Sequence, residues 1–261
     1  MPHPDKAPAT VLAGRVTGWA LPLLVAATAL PEPAWAIGSA ENDDGDVTID
    51  AIGSQRLTGA FLHYRDMPPP FPQEDDSLLG SITRLLLTGD LGEIWRYEAN
   101  LFVDLSRQPL GALSGAFASA GSFEATTPYR SDLLTWGFWE EGSLRGSMGI
   151  DRLSFDALAE PLKLTAGRFP VNYSVTNIFT PNDFFAPFSP TAINTIYKPG
   201  IDALRLNLAL GPMSGLEVVQ VAGFRQSGEP AWGRSALLAR ASTVWWDFEW
   251  ALLGGKLAER W

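Results

Sequence analysis

From Ile201 to Leu210 the chain puts all of its leucines on one side. Leu204, Leu206, Leu208 and Leu210 alternate with Ala203, Arg205, Asn207 and Ala209, and a period of two sends the two sets to opposite faces of a β-strand. A second stretch repeats the pattern. Trp95, Tyr97, Ala99, Leu101, Val103 and Leu105 share one face and Arg96, Glu98, Asn100 and Asp104 the other, with only Phe102 out of phase. At about 3.3 Å per residue and a tilt near 45°, the stretch from Ile94 to Leu105 reaches roughly 28 Å, the thickness of a bilayer core. A soluble sandwich also alternates, but its apolar face points inward, and that leaves the aromatic residues at strand ends without a reason.

Composition narrows the fold class. Hydrophobic residues make up 46% and charged residues only 18% of 261 positions, while mean hydropathy lies near zero. That combination argues against a bundle of transmembrane helices and suits a barrel, whose lipid-facing and lumen-facing residues average out. The net charge of -10 offers no basic patch for nucleic acid. With no Cys and two His, transition-metal sites are not expected. His63 lacks a partnering nucleophile motif, so no enzyme, catalytic residue or cofactor is assigned; His63 reads as a rim or strand-end residue.

Shorter strands surround the central pattern. Leu162, Leu164 and Ala166 alternate with Lys163 and Thr165, and a turn at Ala159-Glu160-Pro161 joins them to a strand bearing Leu153 and Phe155. Between Leu144 and Ala157 the apolar phase changes from even to odd, which a β-bulge near Asp151-Arg152 reconciles. The same device is expected at Gly167, because Arg168 otherwise falls on the leucine face. Asp75 to Leu87 carries Leu78, Leu79, Ile82, Leu85 and Leu86 at helical spacing and predicts a short amphipathic helix, as a plug, an interfacial element or a cap. Residues 106 to 130 read as a loop, and Ser131 to Glu140 as a strand or a short helix. Trp245, Trp246, Phe248 and Trp250 cluster at a turn, as in an interfacial girdle.

Several ordered motifs resemble one family. Arg152-Leu153, Gly167-Arg168, Phe179-Thr180-Pro181-Asn182-Asp183-Phe184-Phe185, Lys198-Pro199-Gly200-Ile201-Asp202 and then Arg205 are similar to a poorly characterised family of Gram-negative outer-membrane β-barrels, akin to alginate-export and other porin-like channels. The resemblance implies a barrel with a loop running toward its lumen, and no particular solute. The residues themselves place short turns at one strand end and a connection of about thirty residues, Pro170 to Gly200, at the other, as in outer-membrane barrels.

The domain plan follows. Residues 1–36 read as a secretory signal peptide, with Lys6 and Arg15, an apolar core from Val16 to Leu30 and a small-x-small site at Ala34-Trp35-Ala36. Residues 37–53 form an acidic leader, and 54–261 an all-β, antiparallel up-and-down transmembrane barrel. Nine candidate strands miss the even number of bacterial barrels. Either the chain is the N-terminal part of a longer barrel, or the count is off by one. The expected function is a porin-like channel of the outer membrane for passive or selective diffusion of small polar or charged solutes; the alternative is a structural or surface-interaction barrel with a closed lumen. Outer-membrane lipid and small solutes are the expected partners. Arg96, Arg152, Arg168, Asn177, Asp183, Lys198 and Arg205 are the candidate pore or solute residues, although the same charges suit pairs that hold a loop. Phe184, Phe185 and Phe188 form either a rung for a solute or, preferably, a tether for that loop.

Overall fold

The computed structural model describes residues 23–29, 34–63, 75–107, 127–173, 184–185, 198–225 and 227–258. They build one antiparallel sheet of twelve strands. These are β1 (Leu23–Ala29), β2 (Ala34–Glu41), β3 (Thr48–His63), β4 (Asp75–Leu91), β5 (Trp95–Arg107), β6 (Thr135–Glu141), β7 (Leu144–Ala159), β8 (Leu162–Phe169), β9 (Ile201–Gly211), β10 (Ser214–Val221), β11 (Ala236–Trp245) and β12 (Phe248–Leu257). The path runs β3-β4-β5-β7-β8-β9-β10-β11-β12. β1 and β2 lie end to end along the other edge of β3, against Thr58–His63 and Thr48–Ser54 respectively. β6 lies in line with β8 along one edge of β7. The sheet is open, with β12 paired only to β11 among the described residues.

Most connections sort by length. Tight turns at 42–47, 92–94, 160–161, 212–213 and 246–247 share one end, while the connections at 64–74, 108–134, 170–200 and 222–235 share the other, together with the short β6–β7 turn at 142–143. Local chemistry fixes the tight ones. Asn42 Oδ1 accepts the Val47 N–H at 2.8 Å, and Gly45 and Gly92 take the left-handed backbone. Trp246 and Asp247, with φ of 51° and 61°, make a two-residue turn of the hand that suits a twisted hairpin.

Register places the side chains, since residues paired across a ladder share a face. Leu101, Val103 and Leu105 align with Ile150, Met148 and Gly146, and Leu164 aligns with Leu206. This leucine face is exposed: Leu164, Leu206 and Val103 are 39%, 40% and 42% accessible. The opposite face is polar and buried, with Arg56, Arg84, Asn100, Asp104, Ser154 and Thr165 all below 9%. The distribution is inverted relative to a water-soluble sheet.

Several expectations change and one holds. Asp75–Leu91 is strand β4 and not a helix, and no α-helix occurs among the described residues. Its leucines satisfy both periods, with Leu78, Ile82 and Leu86 on the polar face and Leu79, Leu85 and Leu87 on the other, and two full ladders with β3 and β5 decide for strand. The bulge at Asp151 is present: Asn100 pairs with Arg152 and Leu101 with Ile150. At Gly167, however, both ladders continue without an inserted residue. Ser131–Glu140 divides into a single 3-10 turn, Asp132–Leu134, and β6. β1 and β2 occupy part of the segment read as signal peptide, and the acidic leader is the β2–β3 hairpin with the first part of β3; residues 1–22, the proline-rich 66–72 and Trp261 lie outside the described residues.

Candidate functional site

The polar face pairs most of its charges across strands. Lys163 Nζ lies 2.8 Å from Asp156 Oδ2, and Thr165 Oγ1 donates to Asp156 Oδ1 at 2.6 Å. Arg152 Nη1 donates to Glu98 Oε1 at 3.2 Å and Nη2 to the Lys198 carbonyl at 2.8 Å. Arg240 Nη2 reaches Glu249 Oε1 at 3.1 Å. A charge withdrawn from water needs such a partner.

At the end with long connections, β7, β8 and β9 meet segment 127–131. Arg168 belongs by parity to the leucine row, but its side chain is 1% exposed. Gly167 turns the strand there with φ of 122°, where a Cβ would sit 2.2 Å from the Leu153 carbonyl oxygen. The guanidinium grips Asp202 with two hydrogen bonds, 2.7 and 3.0 Å, and donates to the Ser131 and Ile150 carbonyls at 2.6 and 3.2 Å. Asp202 Oδ2 in turn accepts the Ser131 N–H at 2.7 Å. Beside it, Arg130 pairs with the bulged Asp151, both buried. Gly200 crosses the bulge so closely that a Cβ would stand 2.6 Å from the Asp151 carbonyl oxygen.

An apolar cluster covers the adjoining polar-face end of β9 to β11. Ile201, Val219, Val221, Ala236 and Leu238 pack with Phe169, Val171, Tyr129 and Phe185. Phe185 is 1% exposed, edge-on to Tyr129 at 5.2 Å between centroids, and its carbonyl accepts the Thr127 hydroxyl at 2.5 Å. The Arg205 guanidinium lies 4.7 Å from the centre of the Phe169 ring. Burial raises the hydroxyl pKa of Tyr129. Burial, with the nearby Glu217 carboxylate second, does the same to Tyr173, against a smaller opposing pull from Arg205 and Arg240.

The candidates from sequence therefore separate. Arg152, Arg168 and Lys198 gather around the Asp151 bulge, and Arg205 joins them through Phe169. Arg96 lies at the tight-turn end, paired with Asp90 at 2.8 Å and half exposed. Asn177, Asp183 and Phe188 lie outside the described residues. Phe185 belongs to the buried apolar cluster and Phe184 packs against it, with 6.5 Å between their rings. Sequence reasoning missed Asp202, Asp151 and Arg130 as partners. Asp202 was findable, because pairing β8 with β9 sets it directly opposite Arg168; Arg130 carried no signal.

His63 ends β3 with Nδ1 2.7 Å from Asp75 Oδ1, both exposed. Among the described residues no group of three or more His, Cys, Asp or Glu forms a metal-ligand set, and no helix is long and apolar enough to cross a membrane. Comparison with family models, curated proteins and solved structures finds no match.

Proposed function

We propose that this chain is the wall of an outer-membrane channel through which small polar or charged solutes diffuse, passively or selectively. One observation carries the reading: the exposed face is leucine and the buried face holds the charges. In water each exposed leucine forgoes about 1.5–3 kcal/mol of burial, whereas lipid accepts the face as it stands. Aromatic residues flank the leucine band at both ends. Trp95, Trp245, Phe248 and Trp250 lie toward the tight turns, and Phe61, Trp136, Phe138 and Trp139 toward the long connections, all of them exposed. From Trp95 to Leu105 on β5, ten residues at about 3.3 Å tilted near 40° reach roughly 25 Å, the height of such a band. Turns of this asymmetry put the long connections outside the cell.

Closure into a barrel is supported by strand parity. In an antiparallel path of nine strands β3 and β12 run the same way. The position that β1 and β2 share is a tenth, and it runs antiparallel to both. Removal of residues 1–36 on export would take away β1 and Ala34–Ala36, so the intact mass of the mature protein decides which residues hold that position.

A closed lumen is the second reading, favoured by the buried Phe185 cluster over β9 to β11. Single-channel recording in a planar bilayer separates the two. Ion-selective steps that change in Arg152→Gln support the channel; a protein that inserts and stays silent supports the closed barrel.

A further inference from the structure

The polar face of β8 to β11 carries a second group of charges, on the tight-turn side of the apolar cluster. The ladders set its rows. Glu217 on β10 stands directly opposite Asn207 on β9 and Arg240 on β11. Arg205 pairs with Val219, which makes it the diagonal neighbour of Glu217. Diagonal neighbours lie about 7–8 Å apart, within reach of long side chains.

The cations around Glu217 are all engaged elsewhere. Arg205 turns toward the long connections, where its guanidinium lies 4.7 Å from the centre of the Phe169 ring. Arg240 turns the other way and donates to Glu249 Oε1 at 3.1 Å. Lys163, opposite Asn207, reaches Asp156 Oδ2 at 2.8 Å. Among the described residues Glu217 therefore has no ion pair, and Arg205 has a ring where the other paired arginines of this face have a carboxylate. Both residues are partly exposed. Nε of Arg205 is buried without a hydrogen bond, but its Nη groups and the Glu217 carboxylate oxygens are not among such atoms and stay within reach of solvent. A guanidinium stacked on a ring keeps its N–H edge for an acceptor. Tyr173 packs against the apolar cluster and closes the site on that side, near enough to feel the charges of Glu217, Arg205 and Arg240.

From this arrangement we infer that Arg205 and Glu217 together bind a zwitterionic solute, an α-amino acid, on the wall of the channel. The two neighbouring charges select the class. A lone cation answers Glu217 but is opposed by Arg205 and Arg240, and a lone anion answers Arg205 but is opposed by Glu217. An α-amino acid sets its carboxylate on the N–H edge of Arg205, as a charge-assisted pair, and its ammonium on Glu217. It satisfies both groups and adds no net charge to a partly buried site.

The inference deepens the channel reading and rests on it for how the solute arrives. Saturation-transfer NMR on the full protein, folded in a non-ionic detergent, uses L-alanine, ethylamine and propionate as probes; the last two are alanine without its carboxylate and without its ammonium. Alanine binds in the millimolar range and the two ions at least about tenfold more weakly. Glu217→Gln weakens alanine by about tenfold and brings propionate level with it, because the opposing carboxylate is gone. Arg205→Gln weakens alanine to a similar extent and brings ethylamine level with it. Heat-modifiable migration on a gel confirms that each variant is folded; should Arg205→Gln not fold, Glu217→Gln carries the test alone. Absence of alanine binding, binding of either ion as strong as that of alanine in the parent protein, or full alanine affinity in a folded variant overturns the inference. Conductance without alanine binding removes the site and leaves the channel. Alanine binding by a barrel that stays silent in a bilayer does the reverse.

Discussion

Arg168 and Asp202 face each other across the β8–β9 ladder and are joined by two parallel hydrogen bonds of 2.7 and 3.0 Å. The guanidinium is 1% exposed and the carboxylate 22%. Asp202→Ala leaves a buried cation without its partner, a change that costs about 3–5 kcal/mol. The double variant Arg168→Met, Asp202→Leu restores an apolar contact and recovers much of that loss. Urea unfolding in lipid vesicles checks both; equal destabilisation of the single and double variants would contradict the clamp.

Gly167 is required by geometry more than Gly92, although both have positive φ. A Cβ at Gly92 meets open space, while one at Gly167 would lie 2.2 Å from the Leu153 carbonyl oxygen. Gly92→Ala therefore costs about 1–2 kcal/mol from backbone conformation alone, and Gly167→Ala costs more and loosens the Arg168 clamp. The comparison of their urea midpoints tests this ordering.

How legible an element was depended on how its two faces differed. β5 and β9 were readable because one face is apolar and the other charged. Phe102, the exception in β5, is 3% exposed on the polar face. β4 was misread because Leu78 and Ile82 lie inside and Leu79 and Leu85 outside, so its pattern fits a helix as well as a strand. The Asp151 bulge was legible from a change of phase. The Arg130–Asp151 pair was not, since it joins residues 21 apart through a loop, and no local period records that contact. Arg168 drew notice for breaking the leucine row, but only the register reveals that Asp202 stands opposite it as its partner.

Tyr173 supplies a test at alkaline pH. Its hydroxyl is held above the ordinary value of 10, first by burial and then by the Glu217 carboxylate. The folded protein keeps a proton that the unfolded chain releases, so the contribution is fully present below pH 10 and is lost as pH rises through the folded value. Tyr173→Phe lacks this contribution. Between pH 9 and 11 the urea midpoint of the variant should fall less than that of the parent protein; an identical fall would remove the burial argument.

The chain contains no cysteine, so single cysteines report their surroundings without background. Nitroxide labels at Leu204, Leu206 and Leu208 alternate along β9 with labels at Arg205 and Asn207, and their relaxation by lipid-soluble oxygen and by a water-soluble nickel chelate can be compared in vesicles. The inverted sheet predicts oxygen access at the three leucine positions and chelate access at the other two, with a period of two. Uniform access to the chelate, or leucine positions shielded from both probes, would contradict a sheet that turns its leucine face to lipid.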